Sequence, residues 1–121
     1  MRGHVVIVED DDDFRYLMGL SLTHQGFTVT AFESAVAALE FIDKNASDIH
    51  GLVADMVLAQ GSGMEVCTRL SKLNTRASIV VLSGDNRMVQ SATQAGYRAL
   101  LKPVAMAVLT RELAREPNEM A

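Results

Sequence analysis

The sequence predicts an α/β fold, a doubly wound parallel sheet of five strands in the order 2-1-3-4-5. Two observations carry this prediction. Short β-branched runs alternate five times with segments of helical spacing, which is typical of right-handed βαβ crossovers. The first run, residues 5–8, is apolar without interruption, as expected for a strand buried on both faces. A length of 121 residues suits one hydrophobic core, so we assign residues 1–121 to a single domain.

The strands are identified by their β-branched and aromatic content and by the turn residues around them. Gly26 and Gly96 precede the second and fifth strands and are predicted to end the helices before them. Residues 56–63 are predicted to form a loop in which Gly61 and Gly63 provide positive φ. The predicted strands cover residues 5–8, 27–32, 51–54, 78–82 and 98–101.

The helices are predicted from apolar residues at helical spacing. Asp11 or Asp12 is expected to cap the first helix, because a carboxylate accepts hydrogen bonds from the free N–H groups there. Ser34 and Ser62 are expected to cap the second and third helices. The fourth and fifth helices are predicted over residues 86–95 and 105–115. The positions expected to face the sheet are Phe14, Leu17, Met18, Leu22, Val36, Leu39, Ile42, Met64, Cys67, Leu70, Leu73, Val108, Leu109 and Leu113.

Composition excludes several classes of function. The formal net charge of -4 and a pI of about 5.2 argue against nucleic-acid binding through a basic face. A single cysteine, Cys67, excludes a disulfide framework and a cysteine-based zinc site. The chain shows neither a membrane-length apolar run nor the pattern of a signal peptide. We therefore expect a cytoplasmic domain that contacts neither nucleic acid nor membrane.

Polar side chains follow four of the five predicted strands. They are Glu9 and Asp10 after the first strand, Asp55 after the third, Ser83 after the fourth and Lys102 after the fifth. In open α/β sheets the carboxyl ends of the strands form the ligand crevice, and its switch point lies here between strands one and three. Asp10 and Asp55 are therefore predicted to face each other across that point.

Such a group of side chains suits phosphoryl chemistry. Three close carboxylates repel one another, and one lysine offsets only one of the charges. A Mg²⁺ ion, which prefers oxygen ligands, would balance the site and admit a phosphoryl group. One carboxylate could then act as the nucleophile and form an aspartyl-phosphate, with the hydroxyl of Ser83 and the ammonium of Lys102 stabilising the transferred group.

The motifs together resemble the receiver domain of response regulators in bacterial two-component signalling, over essentially the whole chain. Each motif alone is weak, but their order and their positions at strand ends make the resemblance specific. They are Val8-Glu9-Asp10, Asp55, Gly63 eight residues later, Leu82-Ser83-Gly84 and Lys102-Pro103.

The resemblance implies a flavodoxin-like (βα)5 arrangement and a role for each site residue. Asp55 would be the phospho-acceptor, Ser83 would bond the phosphoryl group and Lys102 would pair with it. The resemblance also implies a cis Lys102–Pro103 peptide, which proline makes accessible. The implied Mg²⁺ ligands are the side chains of Glu9, Asp10 and Asp55 and the backbone carbonyl of Val57.

Partners are implied in the same way. The phosphoryl donor would be a histidine kinase or a histidine phosphotransfer domain. The domain would then act as a conformational switch, catalysing only its own phosphorylation and dephosphorylation and turning over no external substrate. A homodimer contact or an output partner would use the fourth helix, the fifth strand and the last helix.

The sequence departs from the family pattern at three points. Ala59 stands where proline is usual, and we expect it to loosen the loop without touching any ligand. Ala99 stands where tyrosine or phenylalanine usually rotates inward on activation, so signal readout is expected to differ. The segment between Ser83 and Lys102 is also about three residues shorter than usual in the family, so we expect a shortened or displaced fourth helix.

Two alternatives from other classes remain open at this stage. A haloacid-dehalogenase-like phosphatase also uses an Asp nucleophile, Mg²⁺, a hydroxyl and a lysine, although its nucleophile follows the first strand. A receiver-like interaction module that is never phosphorylated would act through its surface alone. Turnover of a generic phosphate ester would favour the first alternative.

Overall fold

The computed structural model describes residues 2–114, which form five strands and five helices that alternate along the chain. A short 3-10 turn, Ala46–Asp48, leads into the third strand. The elements in chain order are β1 (His4–Val8), α1 (Asp12–His24), β2 (Thr28–Phe32), α2 (Ala35–Asn45), β3 (Ile49–Asp55), α3 (Gly63–Leu73), β4 (Ser78–Ser83), α4 (Asn86–Gln94), β5 (Arg98–Leu101) and α5 (Met106–Ala114).

The five strands form one parallel sheet in the order β2-β1-β3-β4-β5. This confirms the predicted fold class and strand order, and strand bounds agree with the prediction to within two residues. The predicted end of the last helix, Arg115, lies outside the described residues. Among the helices of residues 2–114, we find none with the length and apolar character that crossing a bilayer requires.

Both faces of the sheet are covered, which explains the uninterrupted apolar character of β1. Val5 and Ile7 pack on the side of α1 and α5, whereas Val6 and Val8 pack on the side of α2, α3 and α4. All four side chains are fully buried. The two hydrophobic clusters hold the strand ends in a fixed relation, and the functional side chains lie at those ends.

Three predicted helix caps are confirmed, and each fixes where a helix begins. The carboxylate of Asp11 accepts the N–H of Phe14 at 3.0 Å. The hydroxyl of Ser34 accepts the N–H of Ala37 at 3.3 Å. The third cap, Ser62, accepts from Met64 at the start of α3.

Three residues that we predicted to face the sheet are instead exposed, namely Leu17, Val36 and Leu73. In α2 the buried positions include Ala35 and Ala38, whose small side chains let the helix lie close to the sheet. Because successive side chains of a helix point about 100° apart, burying Ala35 and Ala38 against the sheet turns Val36 to solvent. The prediction was wrong here because it gave weight to large apolar residues and none to alanine.

The loop between β3 and α3 depends on two glycines for different reasons. Gly61 has φ +85°, as predicted, while Gly63 does not have positive φ and that part of the prediction was wrong. Gly63 is required by a close approach: a Cβ there would lie 1.9 Å from the backbone oxygen of Asp55. An isolated bridge between Val57 and Ser62 closes the loop. The backbone that carries Asp55 is thus packed directly against the start of α3.

We expect Gly63→Ala to lower the free energy of unfolding by about 2 kcal/mol or more, because the methyl group would overlap a main-chain oxygen. Gly84→Ala is the matched control, since a Cβ at Gly84 meets nothing within 4 Å. The control should change stability by about 0.5 kcal/mol at most. Urea unfolding followed by circular dichroism measures both variants, and equal stability for the two would contradict the steric account.

Candidate functional site

Three carboxylates meet at the carboxyl edge of the sheet. β1 and β3 are neighbours in parallel register, with Val8 opposite Ala54, so the residues that follow them lie side by side. One carboxylate oxygen each of Glu9, Asp10 and Asp55 lies within 4.8 Å of the others. Glu9 is 1% exposed and Asp55 8% exposed, so two of the three charges are largely withdrawn from water.

Lys102 supplies the positive charge at this cluster. Its Nζ donates to Oε1 of Glu9 at 2.7 Å and to Oδ2 of Asp55 at 3.1 Å. The backbone N–H of Lys102 donates to the carbonyl of Ser83 at 2.8 Å, which extends the pairing of β5 with β4. The Lys102–Pro103 peptide is cis, as the resemblance implied. One ammonium therefore contacts two of three clustered carboxylates.

Burial and neighbouring groups shift the pKa values of Glu9 and Lys102. Burial raises the pKa of the Glu9 carboxyl, hydrogen bonds from Lys102 and the Asp11 N–H oppose that rise, and the charge of Asp55 adds to it. Burial alone would lower the pKa of Lys102, but its hydrogen bonds to Glu9 and Asp55 outweigh burial and raise it. Both shifts favour the protonated form of the group, which is neutral for the Glu9 carboxyl and positively charged for Lys102. The three carboxylates of the cluster outnumber its one ammonium.

Asp10 is held by the loop after β3. Its Oδ2 accepts the backbone N–H of Ala59 at 2.7 Å, a short hydrogen bond to a charged acceptor. We expected Ala59 to touch no candidate ligand, and that expectation was wrong. The prediction considered only the methyl side chain, whereas the contact is made by a backbone N–H that proline lacks.

Ser83 and Val57 lie at the same edge. Ser83 is buried at the end of β4, and its hydroxyl oxygen accepts the N–H of Asp85 at 3.0 Å within its own turn. The backbone N–H of Val57 donates to Oδ1 of Asp55 at 3.3 Å, while its side chain is exposed. The structure therefore joins Val57 directly to the carboxylate of Asp55 and places Ser83 at the end of the adjacent strand.

Two residues from the first turns of α1 reach the site, and the sequence analysis missed their contacts. The ring of Phe14 lies 5.0 Å from Nζ of Lys102, measured to the ring centroid. Arg15 donates to the backbone carbonyl of Glu9 at 2.9 Å and pairs with Asp12 at 2.6 Å. The available signal was position, because the first turn of a helix that follows a site-bearing strand lies beside that site.

The donor atoms fit a hard divalent cation. Carboxylate oxygens are the ligands that Mg²⁺ and Ca²⁺ prefer, and three of them converge here from β1 and β3. Three clustered carboxylates repel one another, and the one ammonium of Lys102 offsets only one of their charges. A cation at these oxygens would relieve that repulsion, so the residues present suit a magnesium-type site.

Five parallel strands with an acidic, lysine-bearing site at their carboxyl edge define the class, a doubly wound α/β domain of the receiver type. The model of the response regulator receiver domain family matches residues 5–114. The chain belongs to this family, whose members serve as phosphorylation-controlled switches in two-component signalling. The match supports the receiver interpretation over the phosphatase alternative.

Similar proteins agree with this assignment. The chain is 27% identical over 105 residues to the transcriptional regulatory protein GlrR of Escherichia coli, covering 84% of this chain and 23% of that protein. It therefore spans about a quarter of that relative's length. A response regulator receiver protein from Sinorhizobium medicae is 25% identical with a TM-score of 0.85, and the match covers 96% and 94% of the two chains.

A third protein has the same fold at lower identity. A response regulator protein from Burkholderia pseudomallei matches with a TM-score of 0.80 at 21% identity, over 97% of this chain and 69% of that one. Its structure contains a phosphorylated aspartic acid, a calcium ion and citrate.

We expect Glu9→Gln to change the pH dependence of stability in the metal-free protein. The folded-state pKa of Glu9 is raised above its ordinary value of 4.5, so the stability that its protonation contributes is present below 4.5 and is lost as pH rises through the folded value. Glutamine has no such dependence. The difference in unfolding free energy, variant minus wild type, should therefore move in favour of the variant as pH rises.

Urea unfolding at a series of pH values from about 4.5 to 8 measures that difference. Glu40→Gln, at an exposed position of α2, is the matched control for the change of residue type. A difference for Glu9→Gln that stays constant with pH, or falls as pH rises, would contradict the raised pKa of the buried Glu9 carboxyl.

Proposed function

We propose that the domain accepts a phosphoryl group on Asp55 from a phosphohistidine of a partner protein, and that this modification switches its conformation. The observation that carries the proposal is the placement of Asp55. Its carboxylate is largely buried, contacts the ammonium of Lys102 and shares a small volume with Glu9 and Asp10. A carboxylate in such surroundings suits a phospho-acceptor that relies on a cation.

The transfer step follows from these contacts. A carboxylate oxygen of Asp55 attacks the phosphorus atom, forming an O–P bond while the P–N bond to the donor imidazole breaks. The imidazole leaves with the bonding electron pair and takes up a proton from solvent. Lys102 already contacts Asp55 at 3.1 Å, so its ammonium is placed to pair with an oxygen of the transferred group.

Magnesium is the cofactor that we infer for this step. The side chains of Glu9, Asp10 and Asp55 and the backbone carbonyl of Val57 would hold it. When bound, the ion offsets the carboxylate charges and shields the phosphoryl oxygens. The calcium ion and phosphorylated aspartic acid in the Burkholderia pseudomallei protein support a divalent cation beside the acceptor in a domain of this fold.

Ser83 is assigned the role of sensing the phosphoryl group. Its hydroxyl bonds to Asp85 at 3.0 Å in the structure, so bonding the phosphoryl group would require it to turn away from its own loop. Such a turn would release the start of α4, whose cap Asp85 also accepts the N–H of Arg87 at 2.8 Å. The proposed switch therefore begins at the end of β4 and passes to α4.

The partners follow from the chemistry. A histidine kinase or a histidine phosphotransfer domain would donate the phosphoryl group, and because such kinases use ATP the proposal places the domain in the cytoplasm. Output would pass through α4, β5 and α5, either to a partner or to a second copy. The domain would act on itself alone, so no external substrate is turned over.

Acetyl phosphate tests the acceptor directly. In the presence of Mg²⁺, intact mass should show one added phosphoryl group on the wild type and none on Asp55→Asn. Asp48→Asn, which removes an exposed carboxylate outside the site, is the matched control and should be modified like the wild type.

Three results would contradict the proposal. They are an unmodified wild type, a modified Asp55→Asn variant, or steady release of product from a generic phosphate ester.

A further inference from the structure

Phe14 is held in place by contacts outside the site. Its backbone N–H donates to the cap residue Asp11 at 3.0 Å, which fixes the first turn of α1. Its side chain packs against the hydrophobic cluster on the α1 and α5 side of the sheet, a cluster that includes Met18 and Ile7. The cap and the core therefore both hold Phe14 in place.

The ring of Phe14 contacts the ammonium of Lys102. The distance from Nζ to the ring centroid is 5.0 Å, within the range at which the ring quadrupole attracts a cation. Two carboxylates, from Glu9 and Asp55, contact the same ammonium. The side chain of Lys102 is 26% exposed, so the attraction acts on a partly desolvated cation.

The three groups that contact the ammonium differ in whether the proposed reaction gives them a further partner. In the proposed reaction Glu9 binds the metal ion and Asp55 accepts the phosphoryl group. Each carboxylate therefore gains a second partner besides Lys102. Either change weakens the attraction of that carboxylate for Lys102. Phe14 binds neither the metal ion nor the phosphoryl group in the proposed reaction. Its contact with the ammonium therefore does not depend on whether Glu9 binds the metal ion or Asp55 is phosphorylated.

We propose that Phe14 is a positioning residue that keeps the ammonium of Lys102 at the phosphoryl site through a cation–π contact. The inference rests on the proposed function, because it concerns the lysine that pairs with the transferred group. The ring holds Lys102 at the carboxyl edge when its carboxylate partners are engaged elsewhere. Loss of the ring quadrupole slows phosphorylation, and loss of side-chain bulk alone does not.

The test compares four proteins in phosphorylation by acetyl phosphate at saturating Mg²⁺: the wild type, Phe14→Leu, Phe14→Tyr and Phe14→pentafluorophenylalanine. The fluorinated residue keeps the shape of the ring and reverses its quadrupole. We expect Phe14→Leu and the fluorinated variant to be about 3- to 10-fold slower. Phe14→Tyr keeps the quadrupole and should stay within about 2-fold of wild type. Phe41→Leu, at another half-buried phenylalanine, is the matched control and should leave the rate unchanged.

A second readout needs neither metal nor phosphoryl donor. ¹³Cε relaxation of Lys102 in the metal-free protein should show a more mobile side chain in Phe14→Leu and in the fluorinated variant, but not in Phe14→Tyr. Wild-type mobility in the first two variants, or a slow Phe14→Tyr, would overturn the inference. If the wild type takes no phosphoryl group, the proposed function fails, and relaxation alone decides whether Phe14 positions Lys102.

Discussion

One ammonium facing three carboxylates is the constraint on which this domain depends. Lys102 lies 2.7 Å from Glu9 and 3.1 Å from Asp55, yet burial, together with the charge of Asp55, keeps the pKa of Glu9 raised. The crowding of the carboxylates is built into the fold, because parallel register places the ends of β1 and β3 side by side. The close packing of Gly63 on the backbone of Asp55 keeps the acid from moving aside. A site under such repulsion is suited to bind a cation and then a phosphoryl group.

The sequence predicted the sheet and the grouping of the charged side chains, but it did not predict every contact within the site. Apolar runs that end in acids, a serine and a lysine were enough to predict the strand order and the meeting of Glu9, Asp10, Asp55 and Lys102. The sequence could not predict the hydrogen bond from the backbone N–H of Ala59 to Asp10, because nearly every residue type has a backbone N–H and the residue type therefore does not indicate its partner. The ring of Phe14 was counted as core, since a half-buried aromatic at helical spacing does not reveal which atoms its exposed edge meets.

The proposed output face, formed by α4, β5 and α5, has alanine at the position in β5 where the resemblance leads us to expect an aromatic residue. Ala99 in β5 and Tyr97 just before it pack against the cluster beneath α2, α3 and α4, while Arg98 donates to the carbonyl of Glu112 in α5. The hydroxyl of Tyr97 lies 3.5 Å from that of Ser71 in α3. Ala99 has no ring to rotate, so the proposed switch would pass movement from Ser83 through α4 and the packing around Tyr97.

Calorimetric titration of Mg²⁺ into the wild type and Lys102→Met tests the charge imbalance most directly, with Lys72→Met, at an exposed position of α3, as the control. The account predicts one saturable site, bound about 5-fold more tightly by Lys102→Met, because removing the ammonium leaves three carboxylates facing the ion without a competing cation. Absence of binding to the wild type, or weaker binding to Lys102→Met, would contradict it.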